Sequence, residues 1–144
     1  IGYMSRQEVL MNFEKYRAAY QELEAIKAPL ERELKEKQEE IRTLQRDLET
    51  GLMYTESRKQ QLQDQIRQKM MELQQKAEEN QRTLMEQEKA KIEPLMKLYE
   101  AAVAKVAAAH GYNAIMDLAD PMLIWIDPTL DIGKEVIAEI NGSR

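Results

Sequence analysis

The sequence predicts a mainly α protein in which a long antiparallel helical hairpin projects from a small, short-stranded β/α body. Five Gly and four Pro in 144 residues are too few for a loop-rich fold. A third of the residues are charged and only 6% are aromatic. Long stretches consist of Glu, Lys, Gln, Leu, Arg and Ala, which is the composition of long helices and coiled coils. Short apolar segments that favour strands occur only towards the two ends of the chain.

Residues 13–110 are predicted to form the hairpin. From Phe13 onwards, nine of twelve positions in a heptad seam are apolar, as in a coiled coil. The pattern breaks at Gly51, so we place the chain reversal, the tip of the hairpin, near 51–57. The first limb is expected to run as one helix over 5–50. So thin a structure buries little surface of its own, which favours oligomerisation.

The middle of the hairpin is predicted to be weakly packed. Between 78 and 91 the seam contains Asn80 and Gln87 in place of apolar residues. Pro29 and Pro94 each remove a backbone donor from a helical stretch, so we expect kinks there. These features predict a hairpin that can bend.

The body is predicted from residues 1–12 and 111–144. The apolar residues 1–4 favour a strand, and Ser5 begins a helix with a capping box. Gly111 favours the end of the second long helix, because glycine readily adopts the left-handed C′ conformation.

The C-terminal part of the body is predicted to contain two more strands, at 112–118 and 122–126, joined by a tight turn. Asp131 or Gly133 then caps a final short helix. Three short strands cannot close a sheet within one subunit, and open edges favour pairing between subunits. We therefore expect oligomerisation through the apolar, strand-forming residues of the body: Ile1, Tyr3, Ile115, Leu123, Ile124 and Trp125.

The charge and composition exclude several classes of function. A net charge of −5 argues against nucleic acid as a partner, because such proteins carry a concentrated basic face. No apolar run approaches the roughly 20 residues that span a bilayer. We expect a soluble chain from which any export signal has been removed or was never cloned. The absence of cysteine excludes thiolate chemistry and disulfides.

No residues suited to catalysis or metal binding were recognised, so we expect neither an enzyme nor a cofactor. His110 is the only histidine. At a helix C-terminus we expect it to donate to the last carbonyls and to interact with the helix dipole rather than to bind a metal. Four aspartates lack the spacing of a calcium loop and are typical of turns and caps: Asp117, Asp120, Asp127 and Asp131.

Several short motifs, in order along nearly the whole chain, resemble the Skp/OmpH family. They are Ile1-Gly2-Tyr3 with Gln7-Glu8-Val9-Leu10, His110-Gly111-Tyr112 before Ile115-Met116-Asp117, and Asp127-Pro128 before Leu130-Asp131-Ile132 and Glu135-Val136-Ile137. The resemblance implies a periplasmic homotrimer that binds unfolded outer-membrane β-barrel proteins without ATP. It also implies a weak contact with lipid or lipopolysaccharide. Well-studied members have strongly basic arms, whereas this chain is acidic, and only 42–76 carries a small positive charge.

Given that resemblance, four hairpin residues are candidates for client binding: Met53, Tyr54, Met71 and Met85. Flexible, polarizable methionine suits surfaces that accept many apolar sequences. Met70 falls on the seam and is expected to fill space between the helices instead. The alternative function is a structural coiled-coil adaptor or scaffold, in which the hairpin is a spacer and the body binds one defined partner.

Overall fold

The computed structural model describes residues 1–142, so the last two residues of the predicted body segment lie outside it. Two long helices and few strands confirm the mainly α class. The elements in chain order are β1 (Gly2–Met4), α1 (Arg6–Met11), α2 (Glu14–Thr50), α3 (Glu56–Ala109), β2 (Ile115–Asp117), a short 3₁₀ helix (Pro128–Leu130) and α4 (Gly133–Gly142).

Contacts divide the chain into two compact units. The sheet unit comprises Ile1–Glu22 and Glu88–Arg144, and the helical unit comprises Leu23–Gln87. Each unit contains parts of both long helices.

The sheet unit is built around a two-stranded parallel sheet. β1 pairs with β2, with Gly2 opposite Ile115. On the other side of β1, Asp131 forms a single bridge with Tyr3. β1 therefore lies between β2 and the segment that leads into α4.

The predicted strand at 122–126 does not form. Asp117 and Asp120 instead direct consecutive turns: their carboxylates accept the N–H groups of Ala119 and Met122 at 3.0 and 2.9 Å. The chain must then pass from the β2 side of β1 to the opposite side, where Asp131 pairs with Tyr3. A segment that crosses in this way cannot also run beside β2 as a hairpin partner.

An apolar core fills the sheet unit and is drawn from β1, α1, α3, α4 and the residues that lead into α2 and α4. The carboxylate of Asp131 accepts the N–H of Gly133 at 2.8 Å and so caps α4, as predicted. Gly111 has φ of 72° and ends α3 in the predicted left-handed conformation. The buried core residues are Met4, Val9, Leu10, Phe13, Tyr99, Ala102, Val106, Ile132, Val136 and Ile140.

The predicted helix over 5–50 is interrupted at Asn12 and Phe13. Ser5 begins α1, its hydroxyl accepting the N–H of Glu8, but α1 ends after two turns. Asn141 of α4 donates to the Asn12 carbonyl at 2.8 Å and accepts the N–H of Glu14 at 3.0 Å. These two bonds satisfy the backbone groups exposed at the break, a long-range effect that periodicity does not reveal.

In the helical unit, α2 and α3 run antiparallel and are joined by residues 51–55. Two ion pairs fix their register, Lys69 with Glu40 at 3.1 Å and Lys76 with Glu33 at 3.9 Å. Both long helices continue through their prolines, Pro29 and Pro94, so neither proline ends a helix. The unit's buried side chains are Leu23, Ile41, Leu62, Ile66 and Asn80.

Asn80 confirms that the seam is poorly packed where its apolar pattern thins. Its side chain is 4% exposed, and its amide nitrogen has no hydrogen-bond partner. The register of the two ion pairs places it level with Pro29, where α2 lacks one backbone hydrogen bond. No other side chain is buried between Leu23 and Ile41 in α2, or between Ile66 and Gln87 in α3.

Candidate interaction surfaces

The connection between α2 and α3 presents apolar side chains directly to solvent. Met53 is 96% exposed and Leu52 is 89% exposed. Gly51 allows this turn, because a Cβ on Gly51 would collide with the ring of Tyr54. Met53 therefore lies where it was predicted, and Leu52 is an exposed neighbour that the sequence analysis did not single out.

Tyr54 is half-buried and holds the turn in place. Its hydroxyl donates to the Asp47 carboxylate at 2.7 Å, and the Arg58 guanidinium lies 6.0 Å from its ring centre. The hydrogen bond to Asp47 raises the pKa of Tyr54 above its ordinary value. Because its hydroxyl and one face of its ring are engaged, Tyr54 offers less free surface than Met53.

Met71 and Met85, the two other methionines proposed for client contact, are both more than half exposed on α3. Met70 is also about half exposed, so its assignment to the seam is wrong. The seam prediction failed there because α3 directs Lys69 and Leu73, both half-buried, towards the contact after Ile66. Met70 lies one residue away from that register and faces solvent. The helical unit thus has a series of solvent-facing apolar side chains: Leu52, Met53, Met70, Met71 and Met85.

The sheet unit has a second exposed apolar region, in the turns that follow β2. Ile124 is 99% exposed and Trp125 is 75% exposed, and Met122 in the same segment is also exposed. Of the six residues predicted for oligomerisation, these two and Ile1 are exposed, while Tyr3, Leu123 and Ile115 are half-buried. Ile115 packs against the unit's own core. Met122 belongs to the predicted strand at 122–126 but was not among the residues predicted for oligomerisation.

Charge is locally compensated on the helical unit. Lys59, Lys69 and Lys76 each lie within 4.0 Å of a glutamate. Residues 42–76 contain seven basic and five acidic side chains, a net charge of +2. Paired surface charges of this kind contribute little energy and are screened by salt.

The one histidine has a structural contact. His110 Nε2 lies 2.7 Å from Glu135 Oε2, and its ring stacks on Tyr112 with centroids 5.3 Å apart. This contact joins the end of α3 to α4.

Residues 1–142 contain no group of three or more His, Asp or Glu side chains arranged to hold a metal. In the same range, no helix combines the length and apolar character needed to cross a membrane.

Comparisons with known proteins agree on the fold and identify a family. A family model described as outer membrane protein (OmpH-like) matches residues 1–140. The chain is also similar to a crystal structure from Caulobacter crescentus described as an OmpH-like outer membrane chaperone, with a TM-score of 0.72 and 15% identity. That match covers 97% of this chain and 82% of the other. No curated protein sequence matches significantly.

Proposed function

Because the chain belongs to the OmpH-like outer membrane protein family, we propose that it is an ATP-independent holdase that binds unfolded outer-membrane proteins in the periplasm and prevents their aggregation. A chaperone role follows from the family, whose outer membrane chaperones are in general periplasmic and non-enzymatic. The holdase mechanism and the unfolded state of the client are the steps we add.

The observation that carries the proposal is the series of exposed methionines on the helical unit. Methionine side chains adapt their shape to different apolar partners, and an unfolded β-barrel protein offers alternating apolar residues along its length. Many weak contacts to one flexible chain combine through their high effective concentration, so no deep pocket is needed. Binding that stabilises the unfolded client by mass action requires no nucleotide.

We propose further that the chain acts as a homotrimer joined through the sheet unit, with each hairpin serving as an arm. The exposed Ile124 and Trp125 support this, because isolated apolar groups of that size gain about 1.5–3 kcal/mol each when a partner covers them. Client contact is assigned to Met53, Tyr54, Met71 and Met85, and association to the sheet unit.

The alternative is a structural adaptor that binds one defined partner. The two functions differ in selectivity. A holdase suppresses the aggregation of several unrelated unfolded β-barrel proteins near stoichiometric concentration, whereas an adaptor does not.

The test replaces Met53, Met71 and Met85 together with Ser and titrates a labelled unfolded β-barrel protein, followed by fluorescence anisotropy. Losing as little as about 1.4 kcal/mol of apolar contact weakens binding tenfold, and we expect at least that loss. Raising salt from about 0.05 to about 0.5 M shortens the screening length to a few Å, and we expect a smaller effect from it.

The matched control replaces three exposed glutamines of α3, Gln63, Gln65 and Gln81, with Ser. This variant loses no apolar surface and should bind normally, while circular dichroism verifies that both variants stay helical. If high salt abolishes binding and the methionine variant binds like the original chain, charge governs capture and the assignment of these methionines is wrong.

A further inference from the structure

The helical unit separates two kinds of apolar side chain. The structure describes all of residues 23–87, and the side chains buried there are Leu and Ile, with Asn80 as the polar exception. None of the buried ones is methionine. Of the five large apolar side chains exposed in the same range, four are methionine: Met53, Met70, Met71 and Met85. A chemical change confined to these four surface methionines would alter what the unit presents to solvent and leave its seam untouched.

Oxidation of the thioether is such a change, and it is reversible. Hydrogen peroxide transfers one oxygen atom to the sulfur: the O–O bond breaks, an S–O bond forms, and the other oxygen leaves as water with both protons. The sulfur loses an electron pair and the peroxide gains it. The product, methionine sulfoxide, is polar where the thioether was apolar. Leu and Ile have no group that peroxide attacks in this way.

The return step uses thiols that the chain itself does not have. Methionine sulfoxide reductases remove the oxygen: two thiols of the reductant become a disulfide, and the oxygen leaves as water. Because the chain has no cysteine, no thiol of its own competes for the oxidant or forms a disulfide under the same conditions. Methionine is therefore the side chain through which peroxide can change this protein reversibly.

Access to the sulfur differs widely among the methionines. Peroxide arrives from water, so an exposed sulfur reacts before a buried one. Met53 is almost fully exposed, and Met71 and Met85 are more than half exposed. Met4 is buried in the core of the sheet unit, and Met96 packs against that core. We expect Met53 to be oxidised first and Met4 last, so that mild oxidation leaves the core intact.

We propose that the four surface methionines are sites of reversible oxidation, and that their conversion to the sulfoxide weakens client binding by the helical unit. This inference rests on the proposed holdase function and adds a means of regulating it. A thioether contacts many apolar partners without losing a hydrogen bond. The sulfoxide oxygen would have to give up its bound water to make the same contact, which costs free energy.

The spacing along α3 makes the effect cumulative. Met71 and Met85 are 14 residues apart, close to four helical turns, so they project from nearly the same side of the helix about 21 Å apart. An extended client chain that contacts one can also contact the other. Contacts to one chain reinforce each other through effective concentration, so the loss of several at once reduces affinity by more than the loss of one.

The test compares client binding before and after hydrogen peroxide, which is removed before a labelled unfolded β-barrel protein is titrated. It uses the original chain and two variants. The leucine variant carries Met53→Leu, Met70→Leu, Met71→Leu and Met85→Leu. The matched variant removes three exposed methionines of the sheet unit instead, through Met11→Leu, Met116→Leu and Met122→Leu. We expect oxidation to weaken binding about tenfold or more in the original chain and the matched variant, and to leave the leucine variant within about twofold of its own starting affinity.

A second measurement needs no substitution. Peptide mass spectrometry follows the oxygen added at each methionine of the original chain during the peroxide treatment, and circular dichroism follows the helices. Loss of binding should accompany oxidation of Met53, Met71 and Met85, before Met4 reacts and with helicity unchanged. Methionine sulfoxide reductases for both sulfoxide epimers, supplied with dithiothreitol, should then restore binding.

The outcomes separate this proposal from the holdase function. An original chain that is oxidised at all four sites and binds the client as before overturns the proposal and leaves the holdase function intact. Equal loss of binding in the leucine variant assigns the effect to other residues and also overturns it. So does a loss that the reductases fail to reverse. A chain that never binds the client before oxidation overturns the holdase function, and the proposal with it.

Discussion

Replacing Asn80 with Leu should stabilise the helical unit, against the usual direction of substitutions at buried positions. An unpartnered buried amide costs about 1–3 kcal/mol in lost hydration, and Asn80 has no partner for its amide nitrogen. Leucine removes that cost and adds apolar burial at a site that is 4% exposed. Its larger volume brings back about 1 kcal/mol or more of strain if the seam cannot relax. We expect the free energy of unfolding to rise by about 1–3 kcal/mol.

The assay is urea unfolding followed by circular dichroism, with Gln81→Leu as the matched control. Gln81 is the exposed neighbour of Asn80 on the same helix, so its substitution should change stability by no more than about 0.5 kcal/mol. A variant Asn80→Leu that is less stable than the original chain, beside an unchanged Gln81→Leu, would show that Asn80 is satisfied in solution or that the seam around it is too tightly packed for leucine. The reasoning about a weak point in the seam would then be wrong.

Two further predictions concern the sheet unit. Gly2→Ala should lower stability by about 1–3 kcal/mol through overpacking, because its Cβ would lie 2.5 Å from the Tyr112 ring; Gly142→Ala, with open space around it, should change little in the same thermal unfolding experiment. A hydrogen bond with Tyr16 raises the pKa of Tyr20 to about 12, so between pH 10 and about 12 the folded state keeps a proton that the unfolded state releases. The stability that Tyr20 contributes is therefore complete below pH 10 and lost as pH rises through this window. Tyr20→Phe should make the free energy of unfolding fall less between pH 10 and about 12, as measured by urea unfolding at these two pH values.

Local patterns predicted the helices, caps and turn well, because each depends on residues close in sequence. Ser5, Gly111 and Asp131 have the capping or terminating roles that their side chains favour, and the chain reversal lies at Gly51–Thr55 within the predicted region. Periodicity also located the thin part of the seam at Asn80.

Long-range competition explains what the sequence did not reveal. Asn141, far along the chain, forms hydrogen bonds with the backbone groups at the break between α1 and α2. Nothing in the sequence near Asn12 signals this break. The 122–126 segment has the composition of a strand but loses its intrachain partner to the crossing that brings Asp131 to β1. Met70 was misassigned because a heptad count fixes the face of a helix only to within a residue or two over several turns.

Native mass spectrometry of the protein with and without an unfolded outer-membrane β-barrel protein tests the central claim most directly, because it reports subunit number and client stoichiometry together. The account predicts a homotrimer alone and a trimer carrying one client chain after mixing, with no nucleotide added. Trimers that never carry a client, while the same β-barrel proteins aggregate at an undiminished rate, would contradict the holdase function and favour an adaptor.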